Sequence, residues 1–248
     1  MGMTAPDLLI DIGNSRVKWA LTPPHHAGVL AEDEAAAHQG DPAGIVALLP
    51  ECRPARIAVS QVLGAEVGAR LGLALQSRYG IAPVLARVRP DHCGLRIAYP
   101  DPARLGVDRW LAMLAARRLS LAQPVIIAMA GTALTLDVVD AHGRHLGGFI
   151  APGLHTARRA MLASTRFDHQ PGQEDPAGLG TTTEACVASG ARLACLGALD
   201  RGAALAPANA QKWIGGGDAA TLAPDLPNWR IVPNPVLIGL MAMLEATD

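Results

Sequence analysis

Leu8-Leu9-Ile10-Asp11-Ile12-Gly13-Asn14-Ser15-Arg16-Val17-Lys18-Trp19-Ala20-Leu21 decides the fold. Leu8 to Ile10 is an apolar run of buried-strand type that leads into a polar stretch, where Gly13 and Asn14 are turn formers. Val17, Trp19 and Leu21 then alternate with Lys18 and Ala20, the period of a returning strand. The chain thus opens as strand, tight polar turn, strand. The same pattern returns later. Val125 to Ala128 reads as a buried strand and Met129-Ala130-Gly131-Thr132 as a turn, after which Leu134, Leu136 and Val138 alternate with Thr135, Asp137 and Val139. Aligning Gly13 on Gly131 puts Asn14 on Thr132, Ile10 on Ala128 and Asp11 on Met129. Two copies point to a duplicated lobe. Neither glycine turn runs directly into a helix, so a Rossmann unit is not expected.

Outward from these hairpins, the periodicity predicts a short helix over 44–49, a strand over 56–60, a helix over 64–78 and a strand over 83–88. It predicts a strong helix over 109–121, with Trp110, Leu111, Leu114 and Leu119 forming an apolar stripe. Asp140 to Gly143 is a hairpin turn signal before a third strand over 146–150. Helices are predicted over 154–163, 183–199 and 235–244, and a strand at Trp213 leads into Gly215-Gly216-Gly217-Asp218. The segments 22–28 and 167–179 read as loops. The fold class is α/β with mixed sheets and helices, in two lobes of 1–118 and 119–248.

Half of the 248 residues are hydrophobic but only 3% are aromatic, so the core is built mainly from Ala, Val, Leu and Ile. The formal net charge is -1, which shows no electrostatic footprint for nucleic acid. Cys52, Cys93, Cys186 and Cys195 form no C-x-x-C pair and no zinc-finger spacing. They read as reduced thiols. The first residues carry no basic region and no apolar run reaches membrane length. The expectation is a cytoplasmic protein with no membrane or nucleic-acid partner.

Four segments could carry chemistry. In Asp11-Ile12-Gly13-Asn14-Ser15-Arg16-Val17-Lys18, the glycine lets backbone N–H groups approach an anion, and Asn14, Ser15 and Lys18 add donors and charge. A carboxylate ending a buried strand is costly unless paired or metal-bound, so Asp11 is a candidate for Mg²⁺. An ordinary hairpin turn would look the same. Gly106-Val107-Asp108-Arg109 precedes the strong helix. Asp108 could be a general base beside an anion-binding Arg109, or simply the helix N-cap. Gly131-Thr132 with Asp137 could cradle phosphates or be a second structural hairpin. Gly215 to Asp218 could approach a flat ligand or be only a turn. His25, His26, His142, His145, His155 and His169 read as exposed or locally bonded. Tyr99 reads as loop packing.

Taken in order, Asp11-Ile12-Gly13-Asn14-Ser15 with Lys18, Gly106-Val107-Asp108-Arg109, Gly131-Thr132-Ala133 with Thr135 and Asp137, Gly147 to Leu154, Thr183, Gly190 and Gly215 to Ala219 resemble the type III pantothenate kinases, the Bvg accessory factor family. The resemblance covers nearly the whole chain. It implies two RNase H-like lobes of the acetate-and-sugar-kinase/heat-shock-chaperone/actin type and a homodimer. It implies ATP- and Mg²⁺-dependent phosphorylation of pantothenate to 4′-phosphopantothenate, the first step of coenzyme A synthesis. By motif match, Asp11 to Lys18 and Thr132 contact ATP, and Asp108 accepts the proton. Tyr99, Gly106, Val107, Asp108, Arg109 and Thr183 contact pantothenate. The family often binds a monovalent cation, K⁺ or NH₄⁺, through an aspartate where this chain has Met129, and a thioether is a poor ligand for it. Ile238 stands where the family's usual L-E-G-L has glutamate. These departures motivate a competing reading, a non-catalytic nucleotide-binding regulator of the same fold. A kinase of another small alcohol is a third.

Overall fold

The computed structural model describes residues 5–22, 33–120, 122–165 and 178–246. The first half contains β1 (Asp7–Ile12), β2 (Arg16–Thr22), β3 (Asp33–Ala37), α1 (Pro42–Ala47), β4 (Arg56–Gln61), α2 (Ala65–Tyr79), β5 (Val84–Leu85), the hairpin β6 (Asp91–His92) and β7 (Leu95–Arg96), and α3 (Val107–Ser120). The second half contains β8 (Val125–Ala130), β9 (Ala133–Val139), β10 (His145–Pro152), α4 (Leu154–Ser164), α5 (Thr183–Ala203), β11 (Gln211–Gly215), α6 (Ala219–Leu222), β12 (Arg230–Ile231) and α7 (Pro235–Glu245).

The duplication read from the glycine turns extends to the whole sheets. One runs β3-β2-β1-β4-β5 and the other β10-β9-β8-β11-β12. In each, an antiparallel meander is followed by parallel strands: β1 pairs antiparallel with β2 and parallel with β4, as β8 does with β9 and β11. The mixed-sheet expectation holds. In the first sheet Leu8, Ile10, Ile12, Val17, Ile57 and Val59 pack with Ile45, Leu71 and Leu75 of α1 and α2. In the second, Ile126, Ala128, Leu134, Leu136 and Ile214 pack with Ala191, Cys195 and Leu199 of α5. Each fully buried aliphatic side chain contributes about 1.5–3 kcal/mol.

Three features depart locally from expectation. The strand over 83–88 shrinks to two residues, paired as Ala58 with Val84 and Val59 with Leu85. β3, of sequence DEAAA, was not expected, because alanine and acidic residues favour strands poorly. It forms because β2 pairs along its whole length and fixes its register, Arg16 opposite Ala37 to Ala20 opposite Asp33. The helix expected to carry one apolar stripe is instead buried all round, with Trp110 to Ala116 no more than 1% exposed. Segment 23–28 and most of 167–179 lie outside the described residues, as do His25, His26 and His169.

The chain forms two compact units, Met1–Leu119 with Asn234–Asp248, and Ser120–Pro233. α7 thus belongs to the first unit. Arg56 explains part of this. Its guanidinium binds both carboxylate oxygens of Asp7, at 3.0 and 2.7 Å, and donates to the Leu244 carbonyl at 3.4 Å. Arg118 of α3 pairs with Glu245. At Gly239 a β-carbon would lie 2.1 Å from the Leu111 carbonyl oxygen, so the glycine permits close approach of α3 and α7. Residues 235–244 are all buried, which a solvent-facing terminal helix could not be.

Candidate active site

β1 carries Asp11 to the end of the first sheet, in register with Lys18 of β2 and Ser60 of β4. Ile12 opposite Val17 is the last pair, so residues 13–16 form the turn, closed by the Gly13 N–H donating to the Arg16 carbonyl at 3.0 Å. The second hairpin is one residue tighter. Ala130 opposite Leu134 is its last pair, and the Gly131 N–H donates to Ala133 at 3.1 Å. The side chains of Ile12 and Val17 are wholly in the core, so neither side chain is available to a ligand. Asn14, Ser15 and Arg16 are exposed at the tip. The half-buried Lys18 Nζ donates to Asn234 Oδ1 at 3.3 Å, which ties it to the start of α7.

Burial pushes the Asp11 carboxyl up to about 6; the neighbouring Ser60 hydroxyl opposes this, the charge of Asp108 adds to it, and Lys18 opposes it. The fold thus brings together Asp11 and Asp108, which are 97 positions apart in the chain. Asp108 is not the N-cap that the sequence allowed. α3 already begins at Val107, and the Gly106 carbonyl accepts from Trp110 N–H at 3.1 Å. Asp108 lies inside the first turn and accepts the Arg109 N–H at 2.9 Å. Gly106 makes room for it, since a β-carbon there would lie 2.7 Å from Asp108 Oδ1. Arg109 is 4% exposed; its Nη1 donates to the Tyr99 hydroxyl at 3.0 Å and its guanidinium lies 5.8 Å from the ring centroid. Tyr99 is therefore a partner of Arg109 and not mere loop packing.

The other two expected residues belong to the second unit. Thr132 is exposed at its turn, where its carbonyl accepts from Gly153 N–H at 3.1 Å and Thr156 Oγ1 at 2.7 Å. The last glycine turn meets the same place: Asp218 N–H donates to the Ala130 carbonyl at 3.1 Å, and His155 Nε2 lies 3.5 Å from Asp218 Oδ1. Thr183 opens α5 and lines an apolar groove of about 440 Å³ with Ala157, Met161, Cys186 and Val187. Asp137 does not reach a ligand-facing turn. It is buried in β9 and bonded at 3.0 Å to His145, whose side chain is fully buried. His145 is thus locally bonded, to Asp137 on the neighbouring strand, and is not exposed. Cys52, Cys93, Cys186 and Cys195 are all free. His38 was missed by sequence reading because it lies in the unexpected edge strand's exit.

The model of the family described as type III pantothenate kinase matches residues 7–204. A type III pantothenate kinase of Pseudomonas savastanoi pv. phaseolicola is 36% identical over 249 residues, covering 94% of this chain and 96% of the relative. One from an Azoarcus species is 37% identical over 250 residues, covering 97% and 91%. The chain belongs to the type III pantothenate kinase family. Solved structures agree on the fold. A Campylobacter jejuni protein described as a Baf family transcriptional activator aligns with TM-score 0.63 at 19% identity, covering 97% of this chain and 98% of that one. A Sinorhizobium meliloti protein described as a 2-dehydro-3-deoxygalactonokinase aligns with TM-score 0.61 at 16% identity, covering 97% and 98%. These likenesses show the fold alone. Within the type III pantothenate kinase family the regulatory reading gains no support, and the family is one of ATP- and divalent-metal-dependent kinases. No helix among the described residues is long and apolar enough to cross a membrane.

Proposed function

We propose that this chain transfers the γ-phosphoryl group of ATP to pantothenate, giving 4′-phosphopantothenate and ADP in the first step of coenzyme A synthesis, with Asp108 as general base. The observation that supports the assignment of roles is the electrostatic coupling of Asp11 and Asp108 beside the first glycine turn. Phosphoryl transfer needs positioning and charge neutralisation more than covalent help from the protein. Backbone N–H groups at the tip of the 11–18 turn, around Asn14 and Ser15, together with the Asn14 and Ser15 side chains and Lys18, hold the ATP phosphates. Arg16 adds charge at the tip, and Thr132 contacts the nucleotide from the second turn. Asp108 takes the proton of the pantothenate hydroxyl as the new O–P bond forms and the bond to the ADP oxygen breaks. Arg109, braced by Tyr99, suits the pantothenate carboxylate. Gly106 and Val107 shape that end of the site, and Thr183 is the contact from α5.

The donor set fits Mg²⁺. That ion keeps several waters and takes one or two carboxylates with phosphate oxygens, rather than an all-protein cage. Asp11 offers such a carboxylate, held at a cost that a cation would relieve. Mg²⁺ would supply charge neutralisation on the phosphates. K⁺ or NH₄⁺ is not required at the second turn, where Met129 stands. The enzyme works in the cytoplasm as a homodimer. Turnover of pantothenate with Mg-ATP by purified protein tests the reading. Product is expected from wild type. ATP bound without turnover under any cation would return the regulator reading.

A further inference from the structure

We infer that His38 is a positioning residue for ATP: its neutral ring holds the first glycine turn in the shape that presents backbone donors to the phosphates. The inference rests on the reading of 11–18 as the phosphate site. His38 follows the edge strand β3. Its Nδ1 accepts the Gly40 N–H at 3.0 Å, so the ring proton is on Nε2, and Nε2 lies 3.0 Å from the Gly13 carbonyl oxygen as the donor. The His38 backbone N–H donates to the Ser15 carbonyl at 3.0 Å. One residue thus holds two carbonyls of the turn. The Gly13 N–H is also engaged, with Arg16, so the glycine's peptide groups are fixed on both sides. A trans peptide sets its C=O and the next N–H in opposite directions. Turning the Gly13 carbonyl toward His38 therefore turns the Asn14 N–H away from it, toward the open tip where Asn14 and Ser15 are exposed. Gly13 without this bond has the conformational freedom to let that peptide rotate. The sequence explains why a side chain is needed: a four-residue turn between Ile12 and Val17 leaves the Gly13 carbonyl without a partner inside the hairpin.

The test compares wild type, His38→Ala, His38→Gln and Lys18→Ala in steady-state kinetics and in binding of a non-hydrolysable ATP analogue. A side-chain hydrogen bond of ordinary strength corresponds to roughly a fivefold to tenfold effect. His38→Ala is expected to raise the KM for ATP and weaken analogue binding by about that factor, with the KM for pantothenate unchanged. His38→Gln retains an N–H at similar reach and is expected to restore ATP affinity to within about twofold of wild type. Wild-type analogue binding in His38→Ala overturns the inference, as does His38→Gln behaving like His38→Ala. Wild-type analogue binding in Lys18→Ala as well would instead remove the phosphate site itself.

Discussion

Asp11 and Asp108 stand within electrostatic reach of each other, and the charge of Asp108 adds to burial in raising the Asp11 carboxyl to about 6. Two carboxylates held this way repel, and the fold tolerates them because α3 and β1 are fixed by their own cores. The arrangement costs stability, which is the mark of a functional site more often than of a purely structural one.

Asp108→Asn removes the proton acceptor while keeping the side-chain volume and the bond to Arg109 N–H. A loss of about 10²- to 10⁴-fold in kcat is expected, with a melting temperature no lower than that of wild type, since the repulsion from Asp11 is relieved. Near-wild-type kcat in a folded variant would remove Asp108 as the base.

Asp11→Asn is expected to stabilise the ligand-free protein while abolishing most activity. The sign follows from linkage. The folded carboxyl titrates at about 6 against an ordinary 3.8, so the folded state holds its proton more tightly than the unfolded chain. Stability associated with Asp11 is fully present below about pH 4 and is lost as pH rises to 6. The loss is at most about 3 kcal/mol. Melting curves at pH 4 and pH 8 check this. The variant should exceed wild type at pH 8 and match it at pH 4, and equal differences at both would refute the assignment.

Gly153 and Gly131 make a matched pair for the second turn. A β-carbon on Gly153 would fall 1.8 Å from the Gly131 carbonyl oxygen, whereas one on Gly131 meets nothing within 4 Å. Gly153→Ala should therefore destabilise by about 3 kcal/mol or more, because backbone atoms cannot step aside. Gly131→Ala should change stability by less than about 1 kcal/mol. Urea denaturation of both variants decides it.

Met129 lies opposite Thr135, whose buried Oγ1 finds no hydrogen-bond partner among the described residues. Turnover in Mg-ATP should change by less than about twofold on adding K⁺, since a thioether offers a hard cation little. Met129→Asp places an acceptor beside that hydroxyl and should make the rate depend on K⁺. Steep K⁺ activation of wild type would show that other groups hold the cation.

The local pattern was enough for the two hairpins and their glycine turns, because strand period and turn chemistry are short-range properties. The long helices at 65–79, 107–120, 154–164 and 183–203 were legible for the same reason. The sequence also exposed Asp11, Lys18, Asp108 and Arg109 as candidates, though not which of their plain structural readings to discard. That required the tertiary fold. Only it moves Asp108 inside the helix instead of at its cap, sets its charge against Asp11, and gives Arg109 to Tyr99. Only it returns α7 to the first unit, through Arg56, Arg118 and Gly239. It also recruits an alanine-rich edge strand that brings His38 to Gly13. The start of α3 and the Tyr99–Arg109 bond are settled over a few residues, but the others are contacts between segments distant in the chain, chosen by packing and by the need of buried polar groups for partners, and those are not written in a local window.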